Sequence, residues 1–226
     1  MPAQDVDIVV IGGGHAGSEA AWACANLGVR VAMITMEVNK IGAMSCNPAI
    51  GGLAKGQIVR EIDALGGLMG IAADNTGIQF RILNASKGPA VRGPRCQSDK
   101  YAYAREVQRL LKTRSNIQLI QGVVDDILVE DGKTHGVVYS NPQQGINHQT
   151  LNAAAVILTT GTFMRGLMHT GEAKTQGGRV DEGSAEGISG NLTKLGLELG
   201  RLKTGTPPRL AAESINFDIL NSADFR

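Results

Sequence analysis

The stretch that decides the fold is VDIVVIGGGHAGSEAAWACANLGVRVAMIT, residues 6–35. Its first six residues form a β-branched apolar run, which predicts a buried parallel strand. A glycine turn follows, and then an alanine-rich segment, residues 17–27, that favours a helix. Gly28 predicts the end of that helix, and residues 29–35 predict a second strand. The stretch therefore predicts a βαβ unit with a right-handed crossover.

The turn after the first strand carries the spacing Gly12-x-Gly14-x-x-Gly17. The first glycine permits a tight turn, the second lets a pyrophosphate approach the main chain, and the third lets helix and strand pack closely. The helix N-terminus offers N–H groups and a positive dipole to phosphates. A glycine turn without a ligand is the weaker interpretation, because the surrounding strands and helix are all predicted. We expect a dinucleotide to bind along the turn, at Gly12, Gly13, Gly14, His15, Ala16 and Gly17.

The acidic residue that usually binds the adenosine ribose is displaced in this chain. Its position on the second strand falls on Thr35, and Glu37 follows two residues later. Either Glu37 reaches back to the ribose or other groups hold the ribose. The sequence leaves both alternatives open.

A second apolar run, residues 153–162, predicts a buried strand that ends in the turn TTGT. FAD proteins of the glutathione-reductase type often return to the cofactor domain with such a strand. The six regular βα units typical of NAD-only Rossmann domains are not found. The pattern therefore favours FAD and predicts an α/β fold class: a Rossmann-like FAD-binding domain of the glutathione-reductase type with a small antiparallel β-meander.

The composition limits the other possibilities. Hydrophobic residues make up 42% and charged residues 19% of the 226 residues, which suits a soluble globular core. The net charge of +1 gives no global basic field, and 4% aromatic residues provide few stacking surfaces for single-stranded RNA. No apolar run is long enough to cross a membrane, and we predict no metal site. An odd number of cysteines, Cys24, Cys46 and Cys96, without a signal peptide favours reduced thiols in the cytoplasm.

The remaining segments predict further elements with less regular patterns. We expect a long ordered loop at 40–56, helices at 57–67, 99–114 and 183–200, a polar stretch at 77–95, a meander at 117–129 and 134–139, and a loop at 203–209. We divide the chain into an FAD-binding domain, residues 1–164, and the start of a further segment, residues 165–226, that is incomplete at its C-terminus.

Two features of the loops bear on chemistry. Cys46 lies in Ser45-Cys46-Asn47-Pro48, and a thiol there is either a nucleophile with a lowered pKa or an inert buried cysteine. Cys24 is expected in the core, and Cys96, in a basic loop, has no assigned role. A basic cluster is either solvated charge or a contact for phosphates of FAD or RNA; it comprises Lys87, Arg92, Arg95 and Lys100.

Five blocks make the chain recognisable: IGGGHAGSEAA, MSCNPAIGGLAKG, GIQFRILNASKGPAVRGPR, TTGTF and GRLKTGTPPR, in this order. Together they closely resemble the glucose-inhibited division protein A family, flavoproteins that modify the wobble uridine of tRNA. The resemblance covers nearly the whole chain, and the second and third blocks are far more specific than the glycine turn. An FAD/NADH oxidoreductase of a small molecule and a non-catalytic nucleotide-binding module remain the alternatives.

The resemblance implies an enzyme that binds FAD, takes hydride from NADH and uses methylenetetrahydrofolate as the one-carbon donor. With a GTPase partner it would place an aminomethyl or carboxymethylaminomethyl group on C5 of uridine 34, as a cytoplasmic homodimer. It implies a catalytic Cys46, and flavin contacts at Val124 and at Gln176, where the family usually has serine. Family members are much longer, so we expect an N-terminal portion that is inactive alone.

Overall fold

Four parallel strands form the centre of the fold. A computed structural model describes residues 5–45, 47–179, 183–205 and 210–217. The strands are β1 Ile8–Ile11, β2 Val31–Thr35, β3 Ala49–Gly51, β4 Gly77–Leu83, β5 Gly93–Ser98, β6 Ile117–Gln121, β7 Val123–Glu130, β8 Lys133–Asn141, β9 Ile146–Asn152, β10 Ala155–Leu158, β11 Leu167–Thr170 and β12 Ala173–Gln176. The helices are α1 His15–Asn26, α2 Lys55–Ala64, α3 Leu68–Thr76, α4 Lys100–Lys112 and α5 Gly187–Lys194.

The predicted βαβ unit is confirmed by β1, α1 and β2. The parallel sheet has the order β10-β1-β2-β6. Ile8 pairs with Val31 on one side and with Ala155 on the other. Gly28 follows the C-cap of α1 with a φ of +85°, which is the left-handed conformation that glycine adopts at this position. The predicted fold class, a mixed α/β domain with a parallel sheet and a small meander, is confirmed.

The meander begins later than the sequence predicts. Residues 117–121 form β6, which pairs with β2 in the parallel sheet, so their assignment to the meander is wrong. The antiparallel meander consists of β7, β8 and β9. Gly122 separates the two sheets, and a β-carbon there would come within 2.9 Å of the Tyr139 ring. Alternating apolar residues run through both segments, and only the short glycine break marks the change of sheet.

A third sheet lies in segments that the sequence predicts as a loop and a polar stretch. Strands β3, β5 and β4 pair antiparallel in that order. Gly51 sits at the end of β3 with a φ of +111°, and a β-carbon there would overlap the carbonyl of Pro94. The pairing of β3 with β5 at this point therefore requires glycine.

Helix positions are predicted better than helix ends. Helices α2 and α4 confirm the predicted 57–67 and 99–114 within two or three residues. Helix α5 is much shorter than the predicted 183–200, because the chain leaves the helix before Gly196, which has a φ of +86°. Helix α3 and the β11–β12 hairpin are absent from the predictions.

Two cores cover the two faces of the parallel sheet. Val10 and Met33 face a core with Trp22 of α1 and Tyr103 of α4. The adjacent strand residues point the other way, into a core that the meander and α5 complete; it includes Val9, Ile34, Val124, Val137, Ile188 and Leu192. Burying a side chain of this size contributes about 1.5–3 kcal/mol.

Strand β10 lies at an edge of the sheet, so the prediction that it is buried is only half right. Its residues Ala155 and Leu158 are exposed. On the C-terminal side of residue 164, the chain stays in contact with the first part: Met164 forms a bridge with Ala185, and the amide of Asn191 contacts Ile127. The domain boundary stays a prediction. Within the described residues, no helix is both long and apolar enough to cross a membrane.

Candidate functional site

The glycine turn after β1 is closely packed at two positions. Gly12 has a φ of +107° and donates its N–H to the carbonyl of Ile34 at 2.8 Å. A β-carbon at Gly12 would overlap the carbonyl of Thr159, and one at Gly17 would overlap the carbonyl of Gly12. Both glycines therefore let main-chain segments touch, as their spacing predicts.

Gly14 is different, because nothing in the protein requires it to be glycine. Its φ of −73° suits any residue, and no atom lies within 4 Å of the place where its β-carbon would be. The turn requires no positive φ at this position. The missing side chain leaves open space directly at the N-terminus of α1, on the side where a phosphate would approach.

The first turn of α1 has no internal partner for its N–H groups. Gly14 is the N-cap, and neither a capping side chain nor an acidic residue is present in the first turn. In the described part of the chain, no hydrogen bond uses the N–H groups of Gly13, Gly14, His15 or Ala16. Unused donors and the positive end of the helix dipole together form a site for an anion.

His15 enters this site as a neutral imidazole. Burial, and then the positive charges of Lys55 and Arg179, lower the pKa of His15 from 6.5 to about 4. The ring packs edge-on against Tyr103, with centroids 5.6 Å apart and an interplanar angle of 75°. The Tyr103 hydroxyl has no hydrogen-bond partner among the described residues, and burial raises its pKa.

The segment TTGTF, residues 159–163, follows β10, the strand beside β1, and its first residue packs against the turn. Thr159 donates its hydroxyl to the carbonyl of Ile11 at 2.7 Å. Thr162 donates to the carbonyl of Gly178 at 3.1 Å, and the Arg179 guanidinium lies 5.0 Å from the Phe163 ring centroid. The TTGTF segment thus contacts the turn after β1 through Thr159 and the segment at 178–179 through Thr162 and Phe163.

The remaining predicted cofactor contacts lie on three different elements. Glu37 follows β2, and its carboxylate accepts a hydrogen bond from Lys40 at 3.0 Å. Val124 is buried in β7. The start of β7 lies close to the end of β2, since Gly122 donates its N–H to the carbonyl of Thr35 at 2.9 Å. Gln176 ends β12 and is exposed. Whether each of them contacts a cofactor stays a prediction.

Cys46 lies outside the described residues. The loop before it passes along the turn, because the N–H of Gly42 bonds to the carbonyl of Gly13 at 3.0 Å. Asn47, which follows Cys46 in the sequence, is exposed. Part of the loop is ordered by Lys55, which donates to the carbonyl of Ala49 at 3.3 Å.

The other two cysteines, Cys24 and Cys96, pack against other residues of the fold. Cys24 lies on α1, where it is half-buried and packs against the core, so the prediction that it lies in the core is only half right. Burial raises the pKa of its thiol. Cys96 does not lie in a loop: it is buried in β5, with its sulfur 3.3 Å from the carbonyl oxygen of Ala73. A raised thiol pKa disfavours the nucleophilic thiolate at Cys24.

The predicted basic cluster is distributed over several elements. The Arg92 side chain donates to the carbonyl of Lys87 at 3.1 Å, and the Lys100 ammonium lies 4.7 Å from the Tyr101 ring centroid at the start of α4. Arg95 lies within the sheet, in β5, where its guanidinium contacts the side-chain oxygens of Asn47 and Gln97.

Sequence reasoning missed two residues of the site. Tyr103 lies on α4, and its contact with His15 depends on how α1 and α4 pack, for which no local pattern exists. Thr159 belongs to the recognised TTGT turn, but its role as the residue that supports Gly12 follows only from the pairing of β10 with β1. The open space at Gly14 and the unused N–H groups beside it fit the pyrophosphate of a dinucleotide.

A comparison with known families agrees with this geometry. The sequence model described as "Glucose inhibited division protein A" matches residues 7–225. The chain belongs to this family. The predicted family is therefore confirmed.

Curated members of the glucose-inhibited division protein A family match over most of the chain. A tRNA uridine 5-carboxymethylaminomethyl modification enzyme of Protochlamydia amoebophila is 52% identical over 211 residues, which are 93% of this chain and 33% of the relative. The protein of the same name from Rhodopirellula baltica is 51% identical over 94% of this chain and 33% of its own length. The chain spans about a third of the length of these relatives.

Solved structures of the family give the same result for the fold. GidA from Aquifex aeolicus superposes with a TM-score of 0.87 at 45% identity, covering 98% of this chain and 36% of that one. A GidA-related protein from Thermus thermophilus superposes with a TM-score of 0.60 at 19% identity, over 84% of this chain and 68% of that one. The second likeness is one of fold alone.

Proposed function

We propose that the chain is the FAD-binding part of a tRNA-modifying enzyme, which adds an aminomethyl or carboxymethylaminomethyl group to C5 of wobble uridine 34. The observation that carries the proposal is the open space at Gly14, beside unused N–H groups at the start of α1. It is supported by 52% identity to a protein named for this modification. A bound flavin would supply the redox chemistry of the reaction.

The residues of the turn would hold the pyrophosphate. Main-chain N–H groups from Gly13 to Ala16 would donate to its oxygens, and the neutral His15 would fill the space beside them without adding charge. Gly12 and Gly17 would keep the turn closed. Either Glu37 or other groups would hold the ribose, and Val124 and Gln176 would contact the flavin through the main chain.

The reaction itself would need further partners. We propose NADH as the hydride donor, methylenetetrahydrofolate as the one-carbon donor, Cys46 as the nucleophile, and a GTPase as the partner protein. The complete enzyme would act on tRNA as a homodimer in the cytoplasm. Within this chain we propose that residues 1–164 form the FAD-binding domain and that residues 165–226 begin a further segment.

The proposal is tested in two steps. The purified chain is expected to retain flavin, measured by its visible absorbance after gel filtration. A chimaera, in which this chain replaces the matching third of the Protochlamydia amoebophila protein, is then expressed in a bacterial strain that lacks its own family gene. Restored modification of uridine 34, measured by nucleoside mass spectrometry, supports the proposal. A chimaera that binds flavin and leaves the uridine unmodified would favour a small-molecule oxidoreductase.

A further inference from the structure

The segments around the β3-β5-β4 sheet are strongly basic in a chain that is otherwise close to neutral. Residues 40–60 and 77–98 contain no aspartate or glutamate, whereas the whole chain has 21 acidic residues and a net charge of +1. The cations in these two segments are Lys40, Lys55, Arg60, Arg81, Lys87, Arg92 and Arg95. Four of these cations lie on the sheet or in its connection: Arg81 on β4, Arg95 on β5, and Lys87 and Arg92 between the two strands.

The register of this sheet places two arginines directly opposite each other. Arg81 on β4 pairs with Arg95 on β5. Directly opposite residues of antiparallel strands point to the same face, and like charges there are destabilising. Neither arginine forms an ion pair within the described part of the chain. The arrangement therefore costs stability without an internal counter-charge.

The face that carries the arginines points away from the core. The next residue of β5, Cys96, points to the opposite face and is buried against α3, where its sulfur contacts Ala73. On the arginine face, Arg81 is exposed and Arg95 is half-buried. Gly51 lies opposite Arg95 on β3, so no side chain covers the guanidinium from that strand.

The neighbours of the arginine pair are neutral hydrogen-bonding groups. Arg95 donates to the side-chain oxygen of Gln97 at 3.1 Å and lies 3.4 Å from that of Asn47. Gln79 stands opposite Gln97 on the same face. The face therefore combines two guanidinium groups with amides, and no carboxylate within the described residues competes for them.

We propose that Arg81 and Arg95 bind a phosphodiester group of the RNA substrate, next to the nucleotide that is modified. This inference rests on the proposed function. Paired guanidinium groups match the oxygens of a phosphate, which would supply the counter-charge that the sheet lacks.

The amides of Gln79, Gln97 and Asn47 would bond to adjacent sugar or base groups. Asn47, whose side-chain oxygen lies 3.4 Å from the Arg95 guanidinium, directly follows Cys46, the proposed nucleophile, in the sequence. The phosphates of the dinucleotide have their own site at α1.

The test compares two double variants with equal loss of charge. R81Q/R95Q removes the arginine pair, and K112Q/K133Q removes two exposed lysines on α4 and β8. Binding of each purified 226-residue chain to a fluorescein-labelled anticodon stem-loop RNA is measured by anisotropy from 50 to 300 mM KCl. We expect R81Q/R95Q to lower the affinity about tenfold or more and, because one phosphate contact is lost, to reduce the slope of log K against log salt by about 0.7 to 1. The lysine control is expected to change both far less.

Thermal unfolding without RNA gives an independent readout. Because R81Q/R95Q relieves the repulsion between opposed charges, we expect its Tm to rise by about 1 to 3 °C. K112Q/K133Q should not raise the Tm, because it removes a lysine opposite Glu130 and another from the last turn of α4. Higher stability combined with weaker RNA binding would separate a functional role from a structural one. If the arginine pair instead stabilised the fold, R81Q/R95Q would lower the Tm.

The remaining outcomes count against the inference. Equal RNA affinity of the two double variants, or absence of RNA binding by the wild-type chain at 50 mM KCl, would overturn it. Flavin absorbance of the same preparations reports separately on the proposed function. Loss of flavin from all of them would count against the proposed function, whereas flavin retained with unchanged RNA binding would overturn the arginine pair alone.

Discussion

Gly14 and Gly17 are three residues apart in the same turn, yet they lack a side chain for different reasons. At Gly17 a β-carbon would overlap the carbonyl of Gly12, so the fold itself requires glycine. At Gly14 the space is open and the φ of −73° is ordinary, so only a ligand would require glycine there. A substitution at Gly17 is therefore expected to disturb the fold, whereas one at Gly14 is expected to disturb only the binding of a ligand.

We predict that Gly14→Val leaves the chain folded and removes flavin. The valine side chain would occupy the space beside the unused N–H groups, while the backbone tolerates it. The expected cost to folding is about 1 kcal/mol or less, because valine is a poorer N-cap than glycine. Visible absorbance of the purified variant measures the flavin, and circular dichroism measures the fold.

Gly28→Ala serves as the control for Gly14→Val. It places a side chain at a φ of +85°, away from the turn, and should cost a similar free energy of unfolding while flavin is retained. Gly17→Ala is expected to lose the fold together with the flavin. Stoichiometric flavin in the Gly14→Val variant would show that the phosphates bind elsewhere.

His15 makes the stability of the chain depend on pH. Its pKa falls from 6.5 to about 4 on folding, mainly through burial and then through the charges of Lys55 and Arg179. Between these two pH values the unfolded chain binds a proton at this residue that the folded chain does not bind. Acid therefore favours unfolding, and this part of the stability is lost as the pH falls from 6.5 towards 4.

We predict that His15→Gln reduces this loss. Between pH 7.5 and 4.5 the free energy of unfolding of the wild-type chain should fall by about 2 to 3 kcal/mol more than that of the variant. Urea unfolding at the two pH values measures the difference. Because the comparison uses the pH dependence, any packing cost of the substitution cancels. Parallel pH profiles of the two chains would mean that His15 is protonated equally in both states.

At the scale of elements, a carboxylate joins two helices that are far apart in the sequence. Glu19 on α1 accepts hydrogen bonds from the N–H groups of Leu68 at 3.0 Å and Met69 at 2.7 Å, at the start of α3. The N-cap of α3, Gly67, has no side chain for this purpose. Burial raises the pKa of Glu19, and the two hydrogen bonds oppose that rise. The half-buried carboxylate thus replaces a local cap.

We predict that Glu19→Gln destabilises the chain by about 1 to 3 kcal/mol. The amide keeps one acceptor but presents N–H donors to the second helix N–H, which is then left without a partner. Urea unfolding at pH 7 measures the change. Glu61→Gln, on the exposed face of α2, is the matched control and should change the stability by less than about 0.5 kcal/mol. An equal effect of both substitutions would contradict the capping role.

The sequence predicts an element well when the signals that define it lie close together in the chain. The β1–α1–β2 unit follows from apolar runs, glycine spacing and a helix terminator, all within 30 residues. Other elements depend on distant partners. In β4 the apolar Ile78, Phe80 and Ile82 alternate with polar residues, but these side chains are exposed, so the alternation marks no buried face. Strand β5, which contains glycine, proline and arginine, has no apolar alternation, and β6 differs from the meander only in the sheet that it joins. At the site, the glycines are predicted, whereas the contacts of Thr159 and Tyr103 arise from tertiary packing alone.

At the scale of the whole molecule, the proposed reaction depends on Cys46 within the longer family protein. We predict that Cys46→Ser in the chimaera described above abolishes modification of uridine 34 and leaves the bound flavin unchanged. Serine has a similar size but is a poor nucleophile without a base. The 226-residue chain alone is expected to modify no tRNA, because it matches only a third of its relatives.

Cys24→Ser in the same chimaera is the control for Cys46→Ser. Cys24 lies on α1, where burial raises the pKa of its thiol, and it should tolerate the change with full modification. Nucleoside mass spectrometry measures both variants, and visible absorbance measures their flavin. Normal modification by the Cys46→Ser chimaera would leave Cys46 as a structural residue.

The turn after β1 cannot be completed during translation until Thr159, which packs against it, has been synthesised. Thr159 and Ile11, which it contacts, are separated by 148 residues. At about 5–20 residues per second, a ribosome needs roughly 7 to 30 s to synthesise that interval. During this time the nascent β1 lacks one of its two neighbours, and the turn lacks the residue that packs against Gly12. The edge of β1 is thus open to pairing with other nascent chains, and FAD binding should lag behind synthesis of the turn itself.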